Sequence, residues 1–230
     1  RTLVRPMDDA TWSIAPAAQS EVKALADALG LSRATASVLV RRGLADPQRA
    51  RAFLDGALPG HDPFALGDMG AAVAAIRGAV ERGARICVHG DYDADGICAT
   101  VLAVQLLREL GAEPRWHLPS RFEEGYGVHL QTLERLAAEG TDLVVTVDCG
   151  ITAVDEIARA TQLGLEVVVT DHHRPSGSFP DCPVVAPLKG DYPFAGLCGT
   201  AVVWKLAQAI LGADHPFLDR HLDIVALATV

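Results

Sequence analysis

Apolar residues in the first third of the chain follow a helical, alanine-rich pattern. The capping residue Ser20 begins one such run and Gly30 ends it, while Asp46 and Pro47 have the form of a helix start. Residues 56–67 then bring prolines and glycines together, which is typical of a linker. The pattern predicts a small helical lead-in and linker over residues 1–66.

After this segment, short apolar runs alternate with helical patterns. The predicted strands cover residues 85–89, 115–118, 143–147 and 167–170, and the predicted helices cover residues 94–110 and 152–163. Strands that are apolar throughout and separated by helices indicate a parallel sheet that is covered on both faces. The sequence therefore predicts an α/β domain over residues 67–230, in which helices flank a parallel sheet.

Composition limits the class of protein. Half of the 230 residues are apolar, which is enough for one well-buried core and a small appendage. Charge or glycine interrupts the apolar stretches within about ten residues, too soon for a bilayer span, and no signal-peptide pattern is present. The five cysteines form no C-x-x-C pair, so we expect buried, reduced thiols for all but Cys149, in a cytoplasmic protein with no membrane partner.

Both ends of the sequence lead us to expect a fragment of a longer protein. The sequence begins at Arg1 instead of methionine. Residues 221–230 form an apolar run that stops without a capping or turn residue. We therefore expect the natural chain to continue.

Three of the predicted strands lead into side chains that bind hard metal ions. The first leads into His-Gly-Asp-Tyr-Asp-Ala-Asp-Gly (89–96), another into Asp-Cys-Gly (148–150), and the last into Asp-His-His (171–173). In parallel α/β sheets, ligands bind beyond the carboxyl ends of the strands. Carboxylates with one or two imidazoles suit Mn²⁺ or Mg²⁺, and aspartates packed this closely repel one another unless a cation joins them.

Other interpretations explain less of this pattern. An aspartate after a strand is often only a helix cap, which explains Asp148 taken alone but not three such sites. An EF-hand loop needs a preceding helix and a glutamate at its twelfth position, where this chain has Leu102. A haloacid-dehalogenase-type phosphatase needs a later lysine in a context that Lys23, Lys189 and Lys205 lack, and it leaves Asp-His-His without a role.

The three motifs together resemble those of the DHH phosphoesterase family, in the forms His-Gly-Asp-Tyr-Asp-Ala-Asp-Gly (89–96), Thr-Val-Asp-Cys-Gly (146–150) and Asp-His-His-Arg-Pro (171–175). Residues 121–127 and 196–205 are similar to its RecJ branch of single-strand-specific 5′ exonucleases. The family's fourth motif, with a further metal-binding aspartate, and its second domain have no counterpart before Val230. We therefore expect a DHH domain truncated before that motif, and whether the fragment is active by itself is left open.

The resemblance implies two bound cations, Mn²⁺ or Mg²⁺. His89 and Asp93 would hold one, Asp95 and His172 would hold the other, and Asp148 would bridge both. For His89 the alternative is a role in supporting the ligands. The cations would activate a water for in-line attack on phosphorus, and the products would be 5′-mononucleotides.

The resemblance also implies roles beyond the metal ligands. His173 would face the scissile phosphate or the leaving group, so that Asp148 and His173 are the expected catalytic residues. Asp91 and Asp171 would orient the ligands through hydrogen bonds. Because arginine suits phosphate contacts and tyrosine can stack on a base, we interpret Arg121 and Tyr126 as substrate-binding residues; an ordinary surface loop is the alternative.

We therefore expect a metal-dependent exonuclease that degrades single-stranded DNA 5′ to 3′ in repair or recombination. Partners such as a repair helicase or a single-strand-binding protein would bind regions not present here. The net charge of −9 argues against a simple basic binding surface. It favours an alternative, a DHH phosphoesterase acting on short oligonucleotides, cyclic dinucleotides or pyrophosphate. A non-catalytic DHH scaffold is disfavoured, because the ligand positions of all three motifs are filled.

Overall fold

The structure, a computed structural model, describes residues 13–56 and 60–230 and divides the chain into two units. The units are Arg1–Gly60 and His61–Val230. The division falls inside the segment predicted as a linker, and the limits 1–66 and 67–230 inferred from the sequence stay predictions. Residues 1–12 of the lead-in and 57–59 of the linker lie outside the described residues.

The first unit contains helices α1 (Gln19–Leu29), α2 (Arg33–Arg41) and α3 (Pro47–Leu54). Helix α3 begins as predicted, because the Asp46 carboxylate accepts a hydrogen bond from the Arg49 amide at 2.8 Å. Helix α1 ends at Gly30, which has a φ of 66°. The predicted cap Ser20 lies inside α1, and Ala18 holds the cap position without a side-chain hydrogen bond. The predicted helical lead-in is confirmed for these residues.

The second unit carries a five-stranded sheet and seven α-helices within its described residues. The strands are β1 (Ile86–His89), β2 (Arg115–His117), β3 (Leu143–Val147), β4 (Glu166–Thr170) and β5 (Val184–Val185). The helices are α4 (Met69–Glu81), α5 (Ala94–Glu109), α6 (Leu130–Ala138), α7 (Val154–Gln162), α8 (Gly199–Leu211), α9 (Pro216–Arg220) and α10 (Leu222–Thr229). A 3₁₀ turn at Pro63–Ala65 precedes α4.

All strand pairs are parallel, and the strand order is β2-β1-β3-β4-β5. Alternate residues of each central strand enter two different cores. In β3, Val145 packs with α4, α5 and α8, whereas Val144 packs with α6 and α7. Both faces are therefore covered by helices, which is why these strands are apolar throughout. The predicted α/β fold is confirmed.

The cysteines can be compared with the expectation of buried, reduced thiols. All five cysteines lie in the described part and are unpaired. The expected burial holds for Cys87 and Cys98 but is wrong for Cys182 and Cys198, which are only partly buried; Cys149, outside that expectation, is fully buried. Cys198 is accessible because it caps the open end of α8, where its Sγ accepts from the Ala201 amide.

Among the described helices, none has the length and hydropathy needed to cross a membrane.

Candidate active site

The three motifs meet at the carboxyl edge of the sheet. Strands β1 and β3 are neighbours in the middle, with β2 on one side and β4 and β5 on the other. In sheets of this order, the point where the connections diverge opens a crevice that binds ligands. Residues 89–96, 148–150 and 171–173 follow β1, β3 and β4, so the fold brings them together at that crevice.

Asp148 lies at the centre of this edge and is completely buried. Its φ of 60° places it in the left-handed region, which aspartate tolerates better than most residues. Neither carboxylate oxygen accepts a hydrogen bond from a described residue, although His172 Nε2 lies 3.1 Å from Oδ1. Burial raises the pKa of Asp148 to about 6. A buried carboxylate that accepts no backbone or hydroxyl hydrogen bond is costly, and a cation bound to its oxygens removes that cost.

Two helices approach the site so closely that only glycine fits at the contact. A Cβ on Gly199, the first residue of α8, would lie 2.6 Å from the Cβ of Asp148. A Cβ on Gly96, in the first turn of α5, would lie 2.5 Å from the Cβ of Asp91. The backbones of α8 and α5 therefore hold these two aspartates in place.

Asp93 and Asp95 stand at the start of α5, and both accept hydrogen bonds from backbone amides. Asp93 caps α5, with its Oδ1 accepting from the Gly96 amide at 2.9 Å. Asp95 instead caps α8: Oδ2 accepts from the Gly199 amide at 2.7 Å, and Oδ1 accepts from the Thr200 amide at 2.8 Å. Each carboxylate oxygen has further lone pairs, so these contacts leave room for a metal.

Two groups of described side chains can each hold a cation. The ligand atoms of Asp148, His172 and His173 lie within 4.8 Å of one another, and so do those of Asp91, Asp93 and Asp148. Asp148 belongs to both groups, which is what a bridging carboxylate requires. The residues at the site therefore fit two hard cations that share one ligand.

These groups differ in part from the ligand set that the resemblance implies. Asp91 and His173, expected beside the metals, fall within the groups, whereas His89 and Asp95 fall outside them. Asp95 still lies near the group that contains His172, since its Oδ2 is 3.6 Å from His172 Nε2. The ligand roles of His89, Asp93, Asp95, Asp148 and His172 stay predictions.

His89 is completely buried at the end of β1. Burial and the neighbouring His117 lower its pKa to about 4, so the imidazole is neutral at pH 7. Its Nε2 has no hydrogen-bond partner among the described residues, and its Nδ1 lies 3.8 Å from Cys149 Sγ. A neutral imidazole with a free nitrogen is the form that can bind a metal or support one of its ligands.

Asp171 fixes the conformation of the third motif. Its Oδ1 accepts from the amide and the Nδ1 of His173, at 3.1 and 2.8 Å, and its Oδ2 accepts from the Ile151 amide at 2.9 Å. Burial opposes ionisation of Asp171, but these hydrogen bonds lower its pKa below the ordinary value. The same contact raises the pKa of His173. Asp171 therefore sets both the position and the protonation of His173.

Arg121 and Tyr126 both reach the site from the segment between β2 and α6. The Tyr126 hydroxyl lies 3.1 Å from His173 Nδ1, and burial raises the Tyr126 pKa above its ordinary value. The Arg121 guanidinium lies over the ring of Tyr92, 4.5 Å from its centroid. Tyr92 stands between two aspartates of the first motif, so Arg121 is beside the candidate metal ligands.

Sequence reasoning missed the contribution of three of these residues. Tyr92 had no assigned role, and nothing in the sequence shows that Arg121 stacks on it. Gly199 and Thr200 lie within residues 196–205, which were noted only for their resemblance. The signal was that glycine–threonine pair, but its contact with the first motif joins residues about 100 positions apart along the chain.

Comparison with known proteins gives a consistent result. The family model described as "DHH family, N-terminal domain" matches residues 85–229. Among curated proteins, the single-stranded-DNA-specific exonuclease RecJ of Bacillus subtilis is 38% identical over 223 residues, which are 95% of this chain and 28% of that protein. RecJ of Thermus thermophilus is 41% identical over 165 residues, which are 69% of this chain and 24% of that protein.

Solved structures of the same kind have a similar fold. RecJ of Thermus thermophilus in complex with Mn²⁺ matches with a TM-score of 0.76 at 30% identity, covering 95% of this chain and 31% of that one. An exonuclease RecJ bound to manganese matches with a TM-score of 0.68 at 37% identity, covering 74% and 44%. The chain thus spans about a third of the length of the curated relatives that it matches.

Proposed function

The chain belongs to the DHH family, and on that premise we propose that it hydrolyses single-stranded DNA from the 5′ end to mononucleotides. The reaction uses two divalent cations, Mn²⁺ or Mg²⁺, and serves DNA repair or recombination. Relatives that carry the RecJ name support the substrate, and the relatives solved with Mn²⁺ support the metal. A cytoplasmic location and partners such as a repair helicase or a single-strand-binding protein belong to the same proposal and rest on the resemblance.

The observation that carries the proposal is the carboxylate of Asp148. It is completely buried, its oxygens accept no hydrogen bond from a described backbone amide or hydroxyl, and it is common to two groups of possible metal ligands. A structural aspartate is normally satisfied by donors, as Asp171 is at the end of the next strand. In this role Asp148 would bridge the cations, which would supply an activated water and neutralise charge on the phosphate.

The remaining residues divide into those that hold ligands and those that face the substrate. Asp93, Asp95, His172 and His89 are the proposed further ligands, supported by Asp91 and Asp171. His173 holds a proton on Nδ1 against Asp171 Oδ1, which leaves its Nε2 for a substrate oxygen. His173 can therefore bind the scissile phosphate or protonate the leaving oxygen.

Arg121 and Tyr126 are the proposed substrate-binding residues. Both side chains are exposed, so a nucleotide strand can reach them. Arg121 can exchange its contact with the half-buried Tyr92 for a phosphate, and the exposed ring of Tyr126 can stack on a base. Aromatic rings beside an arginine are typical of surfaces that bind single strands.

The activity is tested on the natural protein with 5′-labelled single-stranded DNA, duplex DNA and a dinucleotide, each with Mn²⁺ and with EDTA. We expect Mn²⁺-dependent release of mononucleotides from the single strand and little from the duplex. Cleavage of the dinucleotide alone would instead support the small-substrate phosphoesterase that the net charge of −9 favours. No cleavage of any substrate would refute the proposal.

The metal site is tested separately on the chain by calorimetric titration with Mn²⁺. Wild type should bind Mn²⁺, and Asp148→Asn should lose this binding. Asp155→Asn is the matched control, since Asp155 is an exposed aspartate in the first turn of α7. Equal Mn²⁺ binding by both variants would contradict the bridging role.

A further inference from the structure

Glu124 lies in the loop that carries Arg121 and Tyr126, yet its carboxylate is bound within the fold. Its Oε1 accepts from the Ser120 amide at 3.0 Å. Its Oε2 accepts from the Thr132 hydroxyl at 2.9 Å and lies 3.0 Å from His117 Nε2. One side chain thus links the loop to the end of β2 and to the first turn of α6.

The backbone completes this connection. The carbonyl of Ser120 accepts hydrogen bonds from the amides of Glu123, Glu124 and Gly125, at 3.3, 2.9 and 3.0 Å. The turn therefore closes around Ser120, and the Glu124 carboxylate binds the Ser120 amide from the other side. Residues 120–125 form one compact unit whose orientation depends on the Glu124 contacts with His117 and Thr132.

The loop places two side chains at the candidate site, one within residues 120–125 and one directly after them. Arg121 stacks on Tyr92 of the first motif, and Tyr126 contacts His173 of the third motif. Burial opposes ionisation of Glu124, but donors on Ser120, Thr132 and His117 lower its pKa to about 2. The carboxylate is therefore charged throughout the physiological range and can serve as a permanent acceptor for all three donors.

We propose that Glu124 is the positioning residue that holds Arg121 and Tyr126 in place to bind the DNA strand. This inference rests on the proposed function. A carboxylate near a polyanion weakens binding by repulsion, so electrostatics alone predicts tighter binding when Glu124 is removed. Loss of positioning predicts the opposite, namely weaker binding. The sign of the effect therefore separates the two roles.

The experiment compares wild type, Glu124→Ala and Glu123→Ala in the natural protein, with Mn²⁺ and single-stranded DNA. Glu123 is the matched control, because it is an exposed glutamate in the same loop. Glu124→Ala should raise KM about tenfold, roughly the loss of one charge-assisted phosphate contact, and change kcat less than about threefold. Glu123→Ala should leave KM unchanged or lower it. A Glu124→Ala variant with wild-type or lower KM would overturn the inference.

A double-mutant cycle with Arg121→Ala distinguishes positioning from general destabilisation. If Glu124 acts through the loop, adding Glu124→Ala to Arg121→Ala should raise KM by less than about threefold. A full further tenfold loss would overturn the inference, because the two residues would then act independently. If Glu124→Ala does not fold, Glu124→Gln carries the test: its amide oxygen still accepts from Ser120, so its KM should lie between wild type and Arg121→Ala.

The outcome for wild type separates this inference from the proposed function. A wild-type protein that degrades no single-stranded DNA refutes both. If wild type is active and Glu124→Ala has the same KM as wild type, only the role of Glu124 is refuted, and the proposed function stands. Mn²⁺ affinity should be equal in all these variants, because Glu124 lies outside both groups of possible ligands.

Discussion

Replacing Asp148 with asparagine should stabilise the metal-free chain. Asp148 buries a carboxylate whose oxygens accept no backbone or hydroxyl hydrogen bond, and asparagine has nearly the same shape without the charge. Asparagine also tolerates the left-handed backbone at this position, where φ is 60°. The substitution therefore removes the cost of burying a charge and adds little strain.

The raised pKa of Asp148 sets the magnitude. A shift from 3.8 to about 6 means that the folded state holds a proton more tightly than the unfolded state does. The free-energy penalty is thus absent below about pH 4, grows as the pH rises, and reaches about 3 kcal/mol above pH 7. For a unit of this size, about 3 kcal/mol corresponds to roughly 6–12 °C in Tm. At pH 5 the advantage of the variant should fall to about half.

Thermal unfolding of the chain at pH 7.5, followed by circular dichroism in EDTA and then in excess Mn²⁺, measures the effect. Asp148→Asn should melt above wild type in EDTA, whereas Mn²⁺ should raise the Tm of wild type only. Asp171→Asn is the contrasting control. Asp171 is equally buried but accepts several hydrogen bonds, so its loss should destabilise by about 1–3 kcal/mol. An Asp148→Asn variant that melts at or below wild type in EDTA would refute the reasoning.

Three further substitutions test other parts of the site. Gly199→Ala places a Cβ against Asp148, so Mn²⁺ affinity by titration should fall at least tenfold, and an unchanged affinity would show that α8 can move away. Tyr126→Phe keeps the ring that can stack on a base and removes only the hydroxyl beside His173, so KM and kcat should both stay within about threefold of wild type; a tenfold rise in KM would show that the hydroxyl itself binds the strand. Arg121→Ala should weaken single-strand binding and flatten its log–log salt dependence by about one unit, and an identical slope would count against a phosphate contact.

Local patterns predicted the strands that carry the motifs, because each is a continuous apolar run with a clear end. Strand β3 has the predicted limits, Leu143–Val147. Strand β5 was missed because two residues, Val184–Val185, are too few to show a pattern. The meeting of the motifs was also predictable, since the carboxyl ends of parallel strands share one edge.

The grouping of side chains within the site was not predictable in the same way. That Asp95 would cap α8 depends on the packing of two helices far apart in sequence. That no backbone amide would donate to Asp148, although Gly199 lies against it, depends on how the two elements pack. The spacing of residues along the chain does not show how closely these elements pack. The ligand set inferred from the motifs and the groups in the structure therefore share members without being identical.

The acidic balance of the chain and the proposed polyanionic substrate are compatible because of where the charges lie. Asp91 and Asp148 are almost completely buried at the sheet edge, where they face one another and Asp93 instead of solvent. Without cations, these carboxylates repel a phosphate at the point where hydrolysis would occur. Cations bound in the two groups would offset that charge locally, and Arg121 stands beside them over Tyr92. Binding of the scissile phosphate would therefore depend on the metal first, and a net charge of −9 describes the whole chain without describing this crevice.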